Sequence, residues 1–258
     1  MILHSQIVGE GKPFIILHGF LGMGDNWKTL ARKFADLECQ VHLIDQRNHG
    51  RSFHDDAFSY DVMAEDIKLY CEVNNLNKVI LLGHSMGGKT AMQFAVKHPE
   101  MVEKLVVADI APKAYPLHHQ DILKALSMLD FSVIKSREEA DRVLSEYIQE
   151  QGTRLFLMKN LYRPERGRFG LRINLSILSE KIEEVGKAIP PESIYEGPTL
   201  FLGGSKSSYI IPSDEQHIKS HFPKAQIKTV SKAGHWLHAE NPDEFYQFVK
   251  NFLQRCSK

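Results

Sequence analysis

The chain has 258 residues with 32 basic and 32 acidic side chains, so no net field draws it to nucleic acid or to an anionic membrane surface. Three cysteines, Cys39, Cys71 and Cys256, are odd in number and far apart, which fits reduced thiols in a cytoplasm better than a disulfide framework. The start, MILHSQIVGEG, lacks the basic head and long apolar core of a signal peptide, and no run reaches membrane-spanning length. A cytoplasmic protein, monomeric or a small homo-oligomer, is expected.

Leu3 to Val8 alternates as an edge strand, and Gly9 to Pro13 turns it into an apolar run, Phe14 to Leu17. That run ends in His18-Gly19-Phe20-Leu21-Gly22. A backbone amide just past such a strand end can form half of an oxyanion hole, and Phe20 is the candidate donor. Asp25 or Asn26 caps a helix in which Trp27, Leu30, Ala31, Phe34 and Ala35 share one stripe, a core-packing pattern. Val41 to Ile44 is the next strand, and the polar loop Asp45-Gln46-Arg47-Asn48-His49-Gly50-Arg51-Ser52 after it reads as a hydrogen-bonded brace. Ser59 caps a helix to about Asn75, with Val62, Ile67, Leu69 and Cys71 partly inward.

The chain is organised around the stretch Lys78 to Thr90, KVILLGHSMGGKT. Val79 to Leu82 is the apolar run of a strand buried on both faces of a parallel sheet. It breaks into Gly83-His84-Ser85-Met86-Gly87, a G-x-S-x-G elbow opening a helix to about His98. A serine on so tight a reversal takes a strained backbone, and the residues two before and two after it nearly touch, which suits glycine. The Met86 amide lies at a helix N-terminus, where developing negative charge is favoured. This is a place for acyl chemistry.

Leu105 to Ala108 is another buried strand, ending Asp109-Ile110-Ala111-Pro112. From there to about Pro198 no strand is expected. Amphipathic helices over Asp121 to Leu129, Arg137 to Glu150, Thr153 to Leu161 and Leu175 to Gly186 suggest an inserted helical cap, residues 113–197, on an α/β core of 1–112 and 198–258. Alternation then resumes: strand Thr199 to Leu202, helix Asp214 to His221, strand Gln226 to Val230, and a helix from about Asp243 to Leu253.

A serine hydroxyl is a weak nucleophile until a histidine takes its proton and an acid holds that histidine's other nitrogen, and in this strand–elbow–helix arrangement the order is serine, acid, histidine. Of thirteen histidines, His235 in Lys232-Ala233-Gly234-His235-Trp236-Leu237-His238 follows the last strand, where the carboxyl ends of a parallel sheet face one crevice. His238 is the second choice. The usual place for the acid, four residues before the proline after the strand that follows the cap, is occupied by Ser208 ahead of Pro212. Asp109, at the end of the strand after the elbow strand, is assigned instead; Asp214 is the alternative but stands where a helix N-cap is expected. Ser207 and Ser208 are candidates to support the acid and the histidine. Arg163, Arg166, Arg168 and Arg172 crowd one turn of the cap, as a solvated basic face or as a site for the phosphates of an acyl-CoA. His118 and His119 lack a third ligand at metal spacing, so no metal is expected.

The HGFLG, DQRNHGRS, GHSMGGK, ADIAP and AGHWLHAENP segments, five in order nearly end to end, resemble the α/β-hydrolase superfamily, and within it the small bacterial YbfF-type esterases and their eukaryotic abhydrolase-domain relatives. The resemblance implies a mostly parallel sheet flanked by helices, a helical lid over an apolar pocket, no cofactor, and hydrolysis of carboxylic esters or thioesters with short to medium acyl chains. It implies Ser85 as nucleophile, His235 as base, the Phe20 and Met86 amides as oxyanion donors, and suits Asp109 as acid. A lyase of the menaquinone-synthase kind, which resembles G-Y-S-M-G-G-R at the elbow where this chain has His84 and Lys89, and a non-catalytic ligand receptor are the competing readings.

Overall fold

The computed structural model describes residues 1–117, 119–165 and 168–254; His118, Arg166 and Cys256 of the residues discussed above lie outside them. The first half of the chain lays down β1 (Ser5–Val8), β2 (Lys12–Leu17), α1 (Lys28–Ala35), β3 (Cys39–Ile44), α2 (Tyr60–Val73), β4 (Val79–His84), α3 (Met86–Lys97) and β5 (Val102–Ala108). Next come α4 (Gln120–Ser127), α5 (Arg137–Ser145), α6 (Gln151–Met158), β6 (Leu161–Glu165), β7 (Arg168–Leu171), α7 (Leu175–Glu180) and α8 (Ile182–Gly186). The last part supplies β8 (Thr199–Gly204), α9 (Glu215–His221), β9 (Ala225–Val230), α10 (Leu237–Glu240) and α11 (Pro242–Gln254).

Among the described residues, seven strands form one sheet in the order β1-β3-β2-β4-β5-β8-β9, antiparallel only at the β1 edge. The central strands are apolar without a break because both faces are covered. Alternate side chains serve opposite layers, as the two-residue period of a strand requires. Ile15, Leu17, Val79 and Leu81 pack with Ile67, Phe94 and Ile218 of α2, α3 and α9. Phe14, Ile16, Ile80 and Leu82 pack with Trp27, Phe34, Phe245 and Val249, from the turn before α1, from α1 and from α11. A third cluster joins Phe20, Leu21 and Met86 of the strand ends to Leu126, Leu144, Leu157 and Phe169 of the segment between β5 and β8.

That segment departs from the sequence expectation. Leu161 and Tyr162 do not end a helix; they open an antiparallel ribbon, β6 on β7, with Leu161 opposite Leu171 and Tyr162 opposite Gly170. Pro164 biases Arg163 to extended backbone and bars the helix from running on through it. The helix stops at Met158, and the Asn160 carbonyl is taken by the Arg172 amide of the ribbon at 2.9 Å. The expected helix to Glu150 ends at Ser145, and that over Leu175 to Gly186 breaks at Lys181, which leaves helical geometry (φ −100°, ψ 20°). On α2, Leu69 faces outward, and Met63, Ala64 and Tyr70 join Ile67 and Cys71 on the buried side.

The two ends of this segment are pinned together. Lys89, fully buried on α3, donates from Nζ to the carbonyls of Pro112 (3.3 Å) and Lys113 at one end and Lys187 (2.8 Å) at the other. Beside it the Tyr115 amide donates to Gly186 and the Ile189 amide to Pro112, both at 2.8 Å. Burial, and next the nearby Lys113 charge, lower the Lys89 amine to about 7. Lys89→Met leaves these carbonyls without their donor, so a loss of roughly 1–3 kcal/mol is expected; an unchanged urea midpoint would show that the clip carries no stability.

Candidate active site

Close backbone contact builds the elbow. A β-carbon on Gly83 would lie 2.1 Å from the Gly87 carbonyl oxygen, and one on Gly87 would lie 2.4 Å from the Leu17 oxygen. Ser85 between them sits at φ 52°, ψ −118°, a conformation L-residues avoid, and its amide donates across the sheet edge to Ala108 at 2.9 Å. Asp109, the residue after β5, is also left-handed (φ 50°) and has no solvent exposure. β4 and β5 are neighbours in register, His84 opposite Ala108, so these two strained residues emerge side by side.

The third group arrives from beyond β9. A β-carbon on Gly204 would lie 2.3 Å from the Gly234 oxygen, so the loop carrying His235 lies directly against the end of β8. Its left-handed residue is Lys232 (φ 56°), not Gly234, whose amide is held by Glu240 at 2.9 Å. His235 Nδ1 donates to Asp109 Oδ2 at 2.8 Å, and its Nε2 accepts from Ser85 Oγ at 3.0 Å. Asp109 Oδ1 accepts from the Gly204 amide at 2.9 Å, and Oδ2 also accepts from the Ser207 hydroxyl. Tyr209 stacks on the imidazole at 4.0 Å. Ser208 is exposed. Asp214 is engaged elsewhere, by Lys113 at 2.7 Å and the Ile211 amide at 2.9 Å. Among the described residues, the Phe20 and Met86 amides meet no acceptor of the protein, and both residues border cavities that open on Ser85.

Several histidines around this line were not singled out by sequence. His84, the residue before the serine, donates from Nε2 to the His235 carbonyl at 2.8 Å. The polar loop after β3 braces the HGFLG loop: the Gln46 amide donates to His18 Nε2 at 3.0 Å, and the Leu21 amide to His49 Nε2 at 3.2 Å. His18 and His49 in turn donate from Nδ1 to the carbonyls of Gly19 (2.8 Å) and Arg47 (2.9 Å). Each has one nitrogen accepting from a backbone amide, which only a neutral ring can do. Asn160, fully buried, donates to the Leu21 carbonyl at 2.8 Å and ties α6 to the same loop. His238, the second choice for the base, is stacked on Trp27 at 4.1 Å.

A cavity of about 470 Å³ opens on Ser85, lined by Phe20, Leu155, Phe156, His235 and Trp236 among others. Among the described residues, Arg163, Arg168 and Arg172 do not line it; Arg163 lies over Phe169 and Arg172 over Tyr162 on the ribbon. No group of three His, Cys, Asp or Glu that could hold a metal occurs among the described residues, and none of their helices is long and apolar enough to cross a membrane.

Residues 12–140 match the family model for the alpha/beta hydrolase fold. The chain is 36% identical over 253 residues to the sn-1-specific diacylglycerol lipase ABHD11 of Danio rerio, covering 95% of this chain and 80% of that protein. It is 30% identical over 252 residues to the esterase YbfF of Escherichia coli, covering 96% of each. A solved marine microorganism esterase superposes with a TM-score of 0.95 at 44% identity, covering 98% of this chain and 99% of that one. The chain belongs to the α/β-hydrolase family, and these relatives are hydrolases of esterase and lipase type.

Burial lowers His18 to about 4 and His49 and His238 to about 3, with neighbouring histidines adding to the latter two, and it holds His84 far below its usual range. The unfolded chain takes up protons at these sites near pH 6.5 while the folded one resists, so their contribution is full above pH 6.5 and is lost as the pH falls toward 4. Each adds a slope of up to about 1.4 kcal/mol per pH unit. Urea midpoints should fall steeply from pH 7 to pH 5, and less steeply in His238→Phe; equal midpoints at the two pH values would contradict this.

Proposed function

We propose that the protein is a serine carboxylic ester hydrolase, an esterase or thioesterase acting on short to medium acyl esters or acyl thioesters through Ser85, His235 and Asp109. The observation that carries this reading is the unbroken line from Ser85 Oγ through the imidazole to the buried Asp109 carboxylate, 3.0 and 2.8 Å, at the wall of a largely apolar cavity.

His235 Nε2 takes the hydroxyl proton as Ser85 Oγ bonds the acyl carbon. Asp109 holds Nδ1–H, fixing the tautomer that leaves Nε2 free to accept, and stabilises the imidazolium that forms. The Phe20 and Met86 amides receive the developing oxyanion. The imidazolium returns its proton to the leaving oxygen or sulfur, and water, deprotonated by His235, releases the acid from the acyl-enzyme. The three donors around the acid support this position: with Ser208 at the usual place, Gly204 and Ser207 of that turn hold Asp109 instead.

A fluorophosphonate should modify Ser85, as mapped by mass spectrometry. Asp109→Asn, which offers His235 the wrong tautomer, should lower kcat on p-nitrophenyl acetate on the order of ten-thousandfold, while Asp214→Asn keeps most of the activity. A crippled Asp214→Asn beside an active Asp109→Asn would reverse the assignment.

A further inference from the structure

Ser85 borders two cavities of very different size. The larger, about 470 Å³, has His235 in its wall together with Ile122, Leu155, Phe156 and Trp236. The smaller, about 20 Å³, lies beside Met86 and is bordered by Ile110, Tyr115, Leu117, Val185 and Tyr209; His119 stands between the two and lines both, whereas His235 lines only the larger. A space of that volume holds about one water or one methyl group. Its walls have little room to retreat: Ile110 is pressed on α3, where a β-carbon on Gly88 would lie 2.5 Å from Ile110 Cγ2, and Tyr115 is fixed by the Ala111 amide at 2.8 Å and by its own bond to the Tyr209 carbonyl.

The chemistry assigns the cavities. As the ester C–O bond breaks, the proton that left Ser85 passes from His235 Nε2 to the departing oxygen, so the alcohol leaves on the side where the imidazole faces the cavity. Water then enters by the same space and gives its proton to Nε2 and its oxygen to the acyl carbon; as the bond from that carbon to Ser85 Oγ breaks, Nε2 returns the proton to Oγ and the acid leaves. With the carbonyl oxygen at the Phe20 and Met86 amides and the leaving oxygen at His235, the acyl substituent is left with the Met86 side. Resting on the esterase reading above, the geometry points to a substrate with an acyl group no larger than about acetyl in the small cavity and a bulky, apolar alcohol in the large one. Leu117 and Val185 then set acyl length, and Phe156 and Trp236 receive the alcohol.

The test is a reversed ester pair of identical atomic composition, 2-phenylethyl acetate and methyl 3-phenylpropanoate, with p-nitrophenyl acetate as reference. The acetate should be favoured in kcat/KM by about tenfold or more, the scale on which a mis-sized group counts in a tight apolar pocket. Leu117→Ala, or Val185→Ala should the first not fold, should raise the ratio of p-nitrophenyl butyrate to acetate turnover by a similar factor. Equal rates on the pair, a preference for the phenylpropanoate, or turnover of p-nitrophenyl acetate with neither of the pair would overturn the assignment. So would a failure to cleave p-nitrophenyl acetate by a protein whose Ser85 a fluorophosphonate does label. Silence on all esters together with an unlabelled Ser85 would instead defeat the hydrolase reading itself.

Discussion

A carboxylate without solvent contact governs this structure. Asp109 accepts from the Gly204 amide, the Ser207 hydroxyl and His235 Nδ1, so a group that burial alone would penalise is fully coordinated. Those three donors come from β8, the turn after it and the loop after β9, and one side chain therefore fixes how three carboxyl-end segments meet. The strained φ of Asp109 is tolerated because its neighbours over-determine it, and the same holds for Ser85 one strand away.

Around this line the site is built from neutral imidazoles used as spacers with two hydrogen-bonding ends. His18 and His49 each join a backbone amide to a carbonyl across the HGFLG loop, and His84 reaches from the elbow to the backbone of the loop carrying His235. The bridges of His18 and His49, each accepting from a backbone amide, hold only while uncharged. The geometry around Ser85 is thereby coupled to the same burial that makes these rings resist protonation.

The central α/β alternation was legible because strands buried on both faces leave unbroken apolar runs, and Ser85 because an elbow this tight demands glycine at fixed spacing. Asp109 was legible from topology: the strand after the elbow strand is its sheet neighbour, so its last residue lies beside the serine. The ribbon was not legible, since Leu157, Met158, Leu161 and Tyr162 keep a helical spacing up to the point where Pro164 forbids the turn. Leu69 misled for a different reason, as an apolar residue at the edge of a stripe can face water at small cost. The supporting roles of His18, His49, His84 and Asn160 depend on contacts up to 151 positions apart in sequence, and no local pattern announces them.

The paired amide bonds at Pro112–Ile189 and Tyr115–Gly186 bring the departing and returning chain next to each other above α3. From the sheet's point of view the intervening stretch begins and ends at one doorway. Changes of length or sequence between these bonds need not stretch β5 or displace β8, so the roof over the serine can be remodelled while the floor, with its two strained residues, stays as it is, wherever Asn160 keeps its hold on the Leu21 carbonyl.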